Sequence, residues 1–189
     1  MTPWQRVQAA VRVNLLPGVV LWTALAAFLL AYSLSEAVRA GMGQWALLKA
    51  QWGLAFAFAS YVLFAVLLPE TLQHLLLRRL PARAAWAGIG YAALVFGSVG
   101  MAVDLFYRYQ VIWFGAGNEW STLLHKTLVD QLVFAPISNF LIMGMFLWRD
   151  EGFSGSAWIK LCSVDYLSQR FMPVMVALWS VWIPGIAVV

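Results

Sequence analysis

Side chains able to do chemistry are scarce in this chain and fall into three groups. The densest is the stretch His125-Lys126-Thr127-Leu128-Val129-Asp130-Gln131-Leu132-Val133-Phe134-Ala135-Pro136, which sets a cation, an anion and an amide at the entrance of a long apolar run. Lys126 and Asp130 have i,i+4 spacing, so a helix puts them on one face where they can neutralise each other. Asp104 and Arg108 repeat that spacing, and Glu70, Gln73 and His74 cluster beside Arg78. Ionisable groups in hydrocarbon are costly unless paired or wetted. On a functional reading, Asp104, Arg108, Lys126, Asp130, Gln131, Glu70 and Gln73 line or gate a solute path. On a structural reading they are charges at helix ends that fix register and reach out to water. Cross-helix pairs, Asp130 with Arg108 or Asp104 with Lys126, are feasible in either case.

The elements that must position these groups are apolar. Hydrophobic residues make up 63% of the chain and charged residues 11%, against about 45–50% and about 25% in soluble domains. Too few charges remain to cover a water-soluble surface, so the composition implies an all-α integral membrane protein forming one domain over residues 1–189. Hydropathy and turn residues predict spans at about 17–38, 45–68, 84–106, 128–148 and 171–189. The first four cross fully, the last is a terminal apolar helix, and residues 153–170 form an interfacial helix. Pro17 and Gly18 mark the first entry, residues 39–43 a glycine turn, residues 78–83 an arginine-rich loop, and Ser121 an N-cap. Pro136 is expected to kink its helix.

Arg6, Arg12, Arg78, Arg79, Arg83, Arg149, Lys160 and Arg170 fall on one side of this topology; Arg39, Lys49, Arg108 and Lys126 fall on the other. That asymmetry puts the amino terminus on the cytoplasmic side or its equivalent. The net charge of +4 is spread along loops with no basic run, which excludes nucleic acid as a partner. No cleavable signal peptide or transit peptide is evident, favouring a bacterial inner membrane, with mitochondrial inner and peroxisomal membranes as alternatives. The last apolar run stops without a polar flank, from which a longer native chain is expected.

Other chemistry finds no support. Cys162 is a single cysteine and cannot form an intramolecular disulfide. No spacing of His, Cys and carboxylates suits zinc or di-iron, and no serine has a base at a recognisable spacing, so neither cofactor nor enzyme activity is expected. Tryptophans near the span ends, among them Trp45, Trp86, Trp113, Trp120, Trp148, Trp179 and Trp182, form an aromatic belt. Gly90, Gly97 and Gly100 give the third span a small-residue face for close packing, with a second copy of the chain as one partner.

Lys126, Asp130, Gln131 and Pro136 match a Lys-x-x-x-Asp-Gln-x-x-x-x-Pro core, and Trp179, Trp182 and Pro184 match a Trp-x-x-Trp-x-Pro element. In these motifs the chain resembles the family of the twenty-two-kilodalton peroxisomal membrane protein and its mitochondrial inner-membrane relatives. A third element, Gly-Pro-x-x-His-x-Trp-Tyr, is echoed by Gly100 and Tyr107, with Met101, Asp104 and Phe106 departing from it. Ile186 and Val189 stand where the family usually has Gln and Asn. Over residues 97–189 the resemblance implies a small helical membrane protein of the kind described as a weakly selective pore. The expected partners are therefore the lipid bilayer and small polar or anionic solutes. A structural or assembly protein without a path of its own is the alternative.

Overall fold

The computed structural model describes residues 3–77, 83–117 and 119–188, and among these every regular element is helical. In chain order they are α1 (Pro3–Leu34), α2 (Glu36–Trp52), α3 (Leu54–Tyr61), a π-helical turn (Val62–Leu67) and α4 (Leu68–Leu77). Next come α5 (Arg83–Phe114), α6 (Trp120–Val129), a second π turn (Asp130–Phe134) and α7 (Ala135–Asp150). The chain then runs through α8 (Ser156–Leu161), α9 (Val164–Tyr166), a third π turn (Leu167–Phe171) and α10 (Met172–Val188).

Each π turn stops two residues short of a proline: Leu67 before Pro69, Phe134 before Pro136, Phe171 before Pro173. A proline inside an α-helix lacks an N–H and drives its ring into the carbonyl four residues earlier. Widening the helix by one residue relieves that clash. The amides of Leu68, Ala135 and Met172 accordingly donate five residues back, to Leu63, Asp130 and Leu167. In this register the carbonyl that loses its helical donor is the one five before the proline, at Phe64, Gln131 or Ser168. The kink expected at Pro136 is therefore a π turn preceding it.

The chain divides into two compact units, Met1–Arg39 with Glu119–Val189, and Ala40–Asn118. In the first, α1 packs along α10. A Cβ at Gly18 would sit 3.2 Å from Val181, and the Trp22 indole donates to the Val181 carbonyl at 2.8 Å. α8 lies on α7, where a Cβ at Gly144 would stand 2.6 Å from Trp158 and 2.8 Å from Leu161. Ala157 and Leu161 are fully buried there. In the second unit α3 packs on α5. A Cβ at Gly97 would fall inside the Phe58 ring contact, and one at Gly100 would lie 2.6 Å from Tyr61 and 2.7 Å from the Ala57 carbonyl.

Several expected boundaries move. α1 passes through Pro17 and Gly18 unbroken, and the first break comes at Ser35, with residues 39–43 inside α2. The reason is local: the Arg39 guanidinium reaches back to the carbonyls of Tyr32 and Ser33 at 3.2 and 2.8 Å. It thereby satisfies acceptors orphaned at the end of α1. Ser35 accepts the Val38 amide on the other side of the break. Glycine within a helix costs only about 1 kcal/mol, so Gly41 and Gly43 do not stop α2. Gly53 does break the chain, at a φ of +53° that other residues resist. The span expected at 45–68 therefore starts at Leu54.

Among the described residues three helices are long and apolar enough to cross a membrane: Leu54–Leu72, Trp86–Phe114 and Trp120–Asp150. The bent pair Gly18–Leu34 and Glu36–Trp52 makes a fourth if taken as one broken span. The segment at 153–170 is not one interfacial helix: α8 packs on α7, and α9 with the third π turn runs on without a break into α10. Glu119 occupies the cap position expected for Ser121 and makes no side-chain cap bond. Residues 78–82 of the arginine-rich loop lie outside the described residues, and Arg83 opens α5.

Candidate functional site

Asp104 sits in α5, in the interior of the apolar helix Trp86–Phe114, with its side chain 5% exposed. Its Oδ2 meets Arg108, one turn on, at 2.7 Å, and its Oδ1 meets the Lys49 ammonium of α2 at 3.0 Å. The pairing of Asp104 with Arg108 follows from helical spacing alone. Lys49 arrives only because α2 runs as a helix past the glycines and Gly53 turns the chain into α3. Both cations are more than half exposed, so the cluster joins a buried anion to two accessible cations and carries a net charge of +1.

Two hollows meet at this cluster. One of about 270 Å³ is lined by Asp104, Gly100, Tyr107, Tyr61 and Ser60. The other, of about 490 Å³, runs between Met42, Trp45, Phe56 and Phe64. Lys49, Phe56 and Ser60 line both. Trp45 and Phe56 meet edge to face with centroids 5.9 Å apart, one from each wall. Gly100 and Tyr107, which carry the partial third motif, thus border the same hollow as Asp104.

The second polar centre belongs to the other unit. Gln131 is 6% exposed, at the head of the π turn before Pro136. Its amide donates to Asp130 Oδ2 at 2.8 Å, while its Oε1 is buried with no hydrogen-bond partner among the described residues. The Gln131 backbone carbonyl, deprived of a helical donor by Pro136, accepts the Trp179 indole N–H at 2.9 Å. One contact thus connects the Asp-Gln-Pro motif to the first tryptophan of the carboxyl-terminal motif. Asn139 and Ser138 both donate to the Ala135 carbonyl in the following turn, at 2.8 and 3.1 Å. Lys126 lies one turn before Asp130, as its spacing requires.

Glu70 is half-buried in the first turn of α4; the side chains of Gln73 and His74, and all of Arg78, lie outside the described residues. Trp182 is exposed and the Pro184 side chain lies outside the described residues. Gly97 and Gly100, offered above to a second copy of the chain, are occupied by α3 of the same unit, leaving Gly90 open. Asp104 finds Lys49 and Arg108 as its partners, both in its own unit.

Two residues took on roles not read from sequence. Lys49 enters the sequence reading only through the charge count, although a lone cation between apolar runs is a usable signal. Trp179 enters it as an aromatic-belt residue and as the first tryptophan of the carboxyl-terminal motif; the carbonyl that Pro136 frees is the signal for its use as a donor. No family model, curated protein or solved structure matches the chain, so the resemblance stated above rests on the motif residues themselves.

Proposed function

We propose that this chain is an integral membrane protein of pore or transporter type for small polar or anionic solutes. It crosses the bilayer four times, by the bent pair of α1 and α2 and the three long apolar helices, with α10 as the further apolar helix. A bacterial inner membrane is its location in this reading, with mitochondrial inner and peroxisomal membranes as alternatives. It is a divergent member of the family whose motifs it resembles, and it is not an enzyme. The contact between Trp179 and the Gln131 carbonyl supports the family reading, because it gives the two motifs one physical purpose.

The observation that carries the solute path is the Oε1 of Gln131, which has no hydrogen-bond partner among the described residues and is buried beside Asp130 in a helix apolar enough to span. A buried acceptor without a donor costs about 1–3 kcal/mol, and a water or solute in a path would supply the missing donor. Asp130 and Gln131 then gate passage in one unit, and Asp104 and Arg108 present the charge in the other. The test is solute release from liposomes holding the purified protein, compared with Asp130→Asn and Gln131→Leu variants shown to be folded. Release above protein-free liposomes, altered in the folded variants, is the expected result. No release above background sinks the pore.

One observation favours the structural alternative: both Asp104 oxygens already face cations of their own unit. A closed cluster of that kind can serve packing alone. In that case Asp104→Asn lowers stability and leaves any flux through the folded fraction unchanged.

A further inference from the structure

We propose that the groove between α2 and α3 binds a single-chain amphipathic anion, a long-chain fatty acid, with its carboxylate at Lys49 and its chain along Trp45, Phe56 and Phe64. This needs no solute path; it stands on the geometry of the second unit alone. Three observations converge. The groove of about 490 Å³ is walled by Met42, Trp45, Phe56 and Phe64, a lining suited to hydrocarbon and unsuited to a small polar metabolite. Its volume lies in the lower half of the roughly 300–1,000 Å³ range of small-molecule sites, which suits one acyl chain better than the two of a phospholipid.

The groove also ends at a charge. Lys49 lines it, and two cations there share one carboxylate, Asp104, so the cluster holds one positive charge in excess. Asp104 is buried and oriented between the two cations; the Lys49 side chain is 55% exposed and retains donors for a second carboxylate. In a bilayer any lipid tail can occupy an apolar groove, because hydrocarbon gains nothing by leaving hydrocarbon. Selectivity therefore resides in the head, where charge-assisted hydrogen bonds from Lys49 favour an ionised carboxylate over its ester. Ser60, which lines both hollows, adds a hydroxyl beside that head.

The experiment uses the full chain in a non-ionic detergent and a palmitic acid bearing a photoreactive diazirine, with labelled peptides mapped by mass spectrometry. Labelling is expected within residues 42–64, displaced by palmitate and at least about tenfold less well by methyl palmitate. Lys49→Ala should weaken displacement by palmitate by about tenfold or more, and Lys49→Arg should retain it. Lys49→Ala leaves Asp104 paired with Arg108, which keeps the buried carboxylate compensated. Ala46→Trp, which fills the groove and changes no charge, should abolish labelling. The proposal is overturned by any of four outcomes: no labelling in this segment, equal displacement by the ester, indifference to Lys49→Ala and Ala46→Trp, or better displacement by phosphatidylglycerol, which would assign the site to a phospholipid headgroup.

Discussion

Trp179→Phe tests the link between the two motifs of the first unit. Phenylalanine keeps the ring against its neighbours and removes the N–H that reaches the Gln131 carbonyl at 2.9 Å. Gln131 is 6% exposed, and the helix cannot replace the lost donor, because the residue five ahead is Pro136. An orphaned buried carbonyl costs about 1–3 kcal/mol, and Trp179→Phe should destabilise by about that amount. Pro136→Ala supplies an N–H in register with the same carbonyl. In that background the cost of Trp179→Phe should shrink to within about 0.5 kcal/mol, a coupling of about 0.5–3 kcal/mol between residues in one hydrogen-bonded arrangement. The assay is far-UV circular dichroism during denaturation of the four proteins of the cycle in mixed micelles. Trp182→Phe is the control: Trp182 is exposed, and its replacement should stay within about 0.5 kcal/mol. An equal cost of Trp179→Phe in both backgrounds would refute the argument that Pro136 creates the acceptor Trp179 fills.

Other expectations follow from the same contacts. Gly100→Ala should cost about 1–3 kcal/mol by overpacking, because its Cβ would meet the Ala57 backbone carbonyl at 2.7 Å; Gly90→Ala, with nothing within 4 Å, should be neutral or gain up to about 1 kcal/mol in helix propensity. Thermal melts of the two variants in one detergent decide it, and equal effects would contradict the packing of α3 on α5. Gly144→Val should destabilise by about 1–3 kcal/mol through Trp158 and Leu161, read by proteolysis of the segment after α7. Asp104→Asn should destabilise more than Lys49→Ala, which leaves one pair intact. Its cost should fall below the about 3–5 kcal/mol of breaking a fully buried pair, because Lys49 and Arg108 are more than half exposed. Comparable melting temperatures for these two variants would argue against Asp104 as the centre of the cluster.

The helical, apolar character of the chain was legible from composition, because a shortage of charge and long apolar runs leave helices as the local solution. So was the pairing of Asp104 with Arg108, since it depends only on helical spacing. The three π turns are equally local: each answers the steric demand of Pro69, Pro136 or Pro173 on the turn before it. Boundaries were read less well where a short-range signal had a competitor. Gly41 and Gly43 suggested a turn, but Arg39 capping the carbonyls of α1 moved the break to Ser35.

Contacts between residues distant in sequence were a different matter. Lys49 meeting Asp104, Trp179 meeting Gln131, and Phe58 and Tyr61 covering Gly97 and Gly100 all require one helix to be laid on another in a particular register. Periodicity says which face of a helix is apolar or small; it does not say which helix will cover it. When nearly every face is apolar, as here, the hydrophobic pattern no longer discriminates among partners. The choice then falls to close packing at glycines and to the few polar groups that must find one another, and those are properties of the assembled fold.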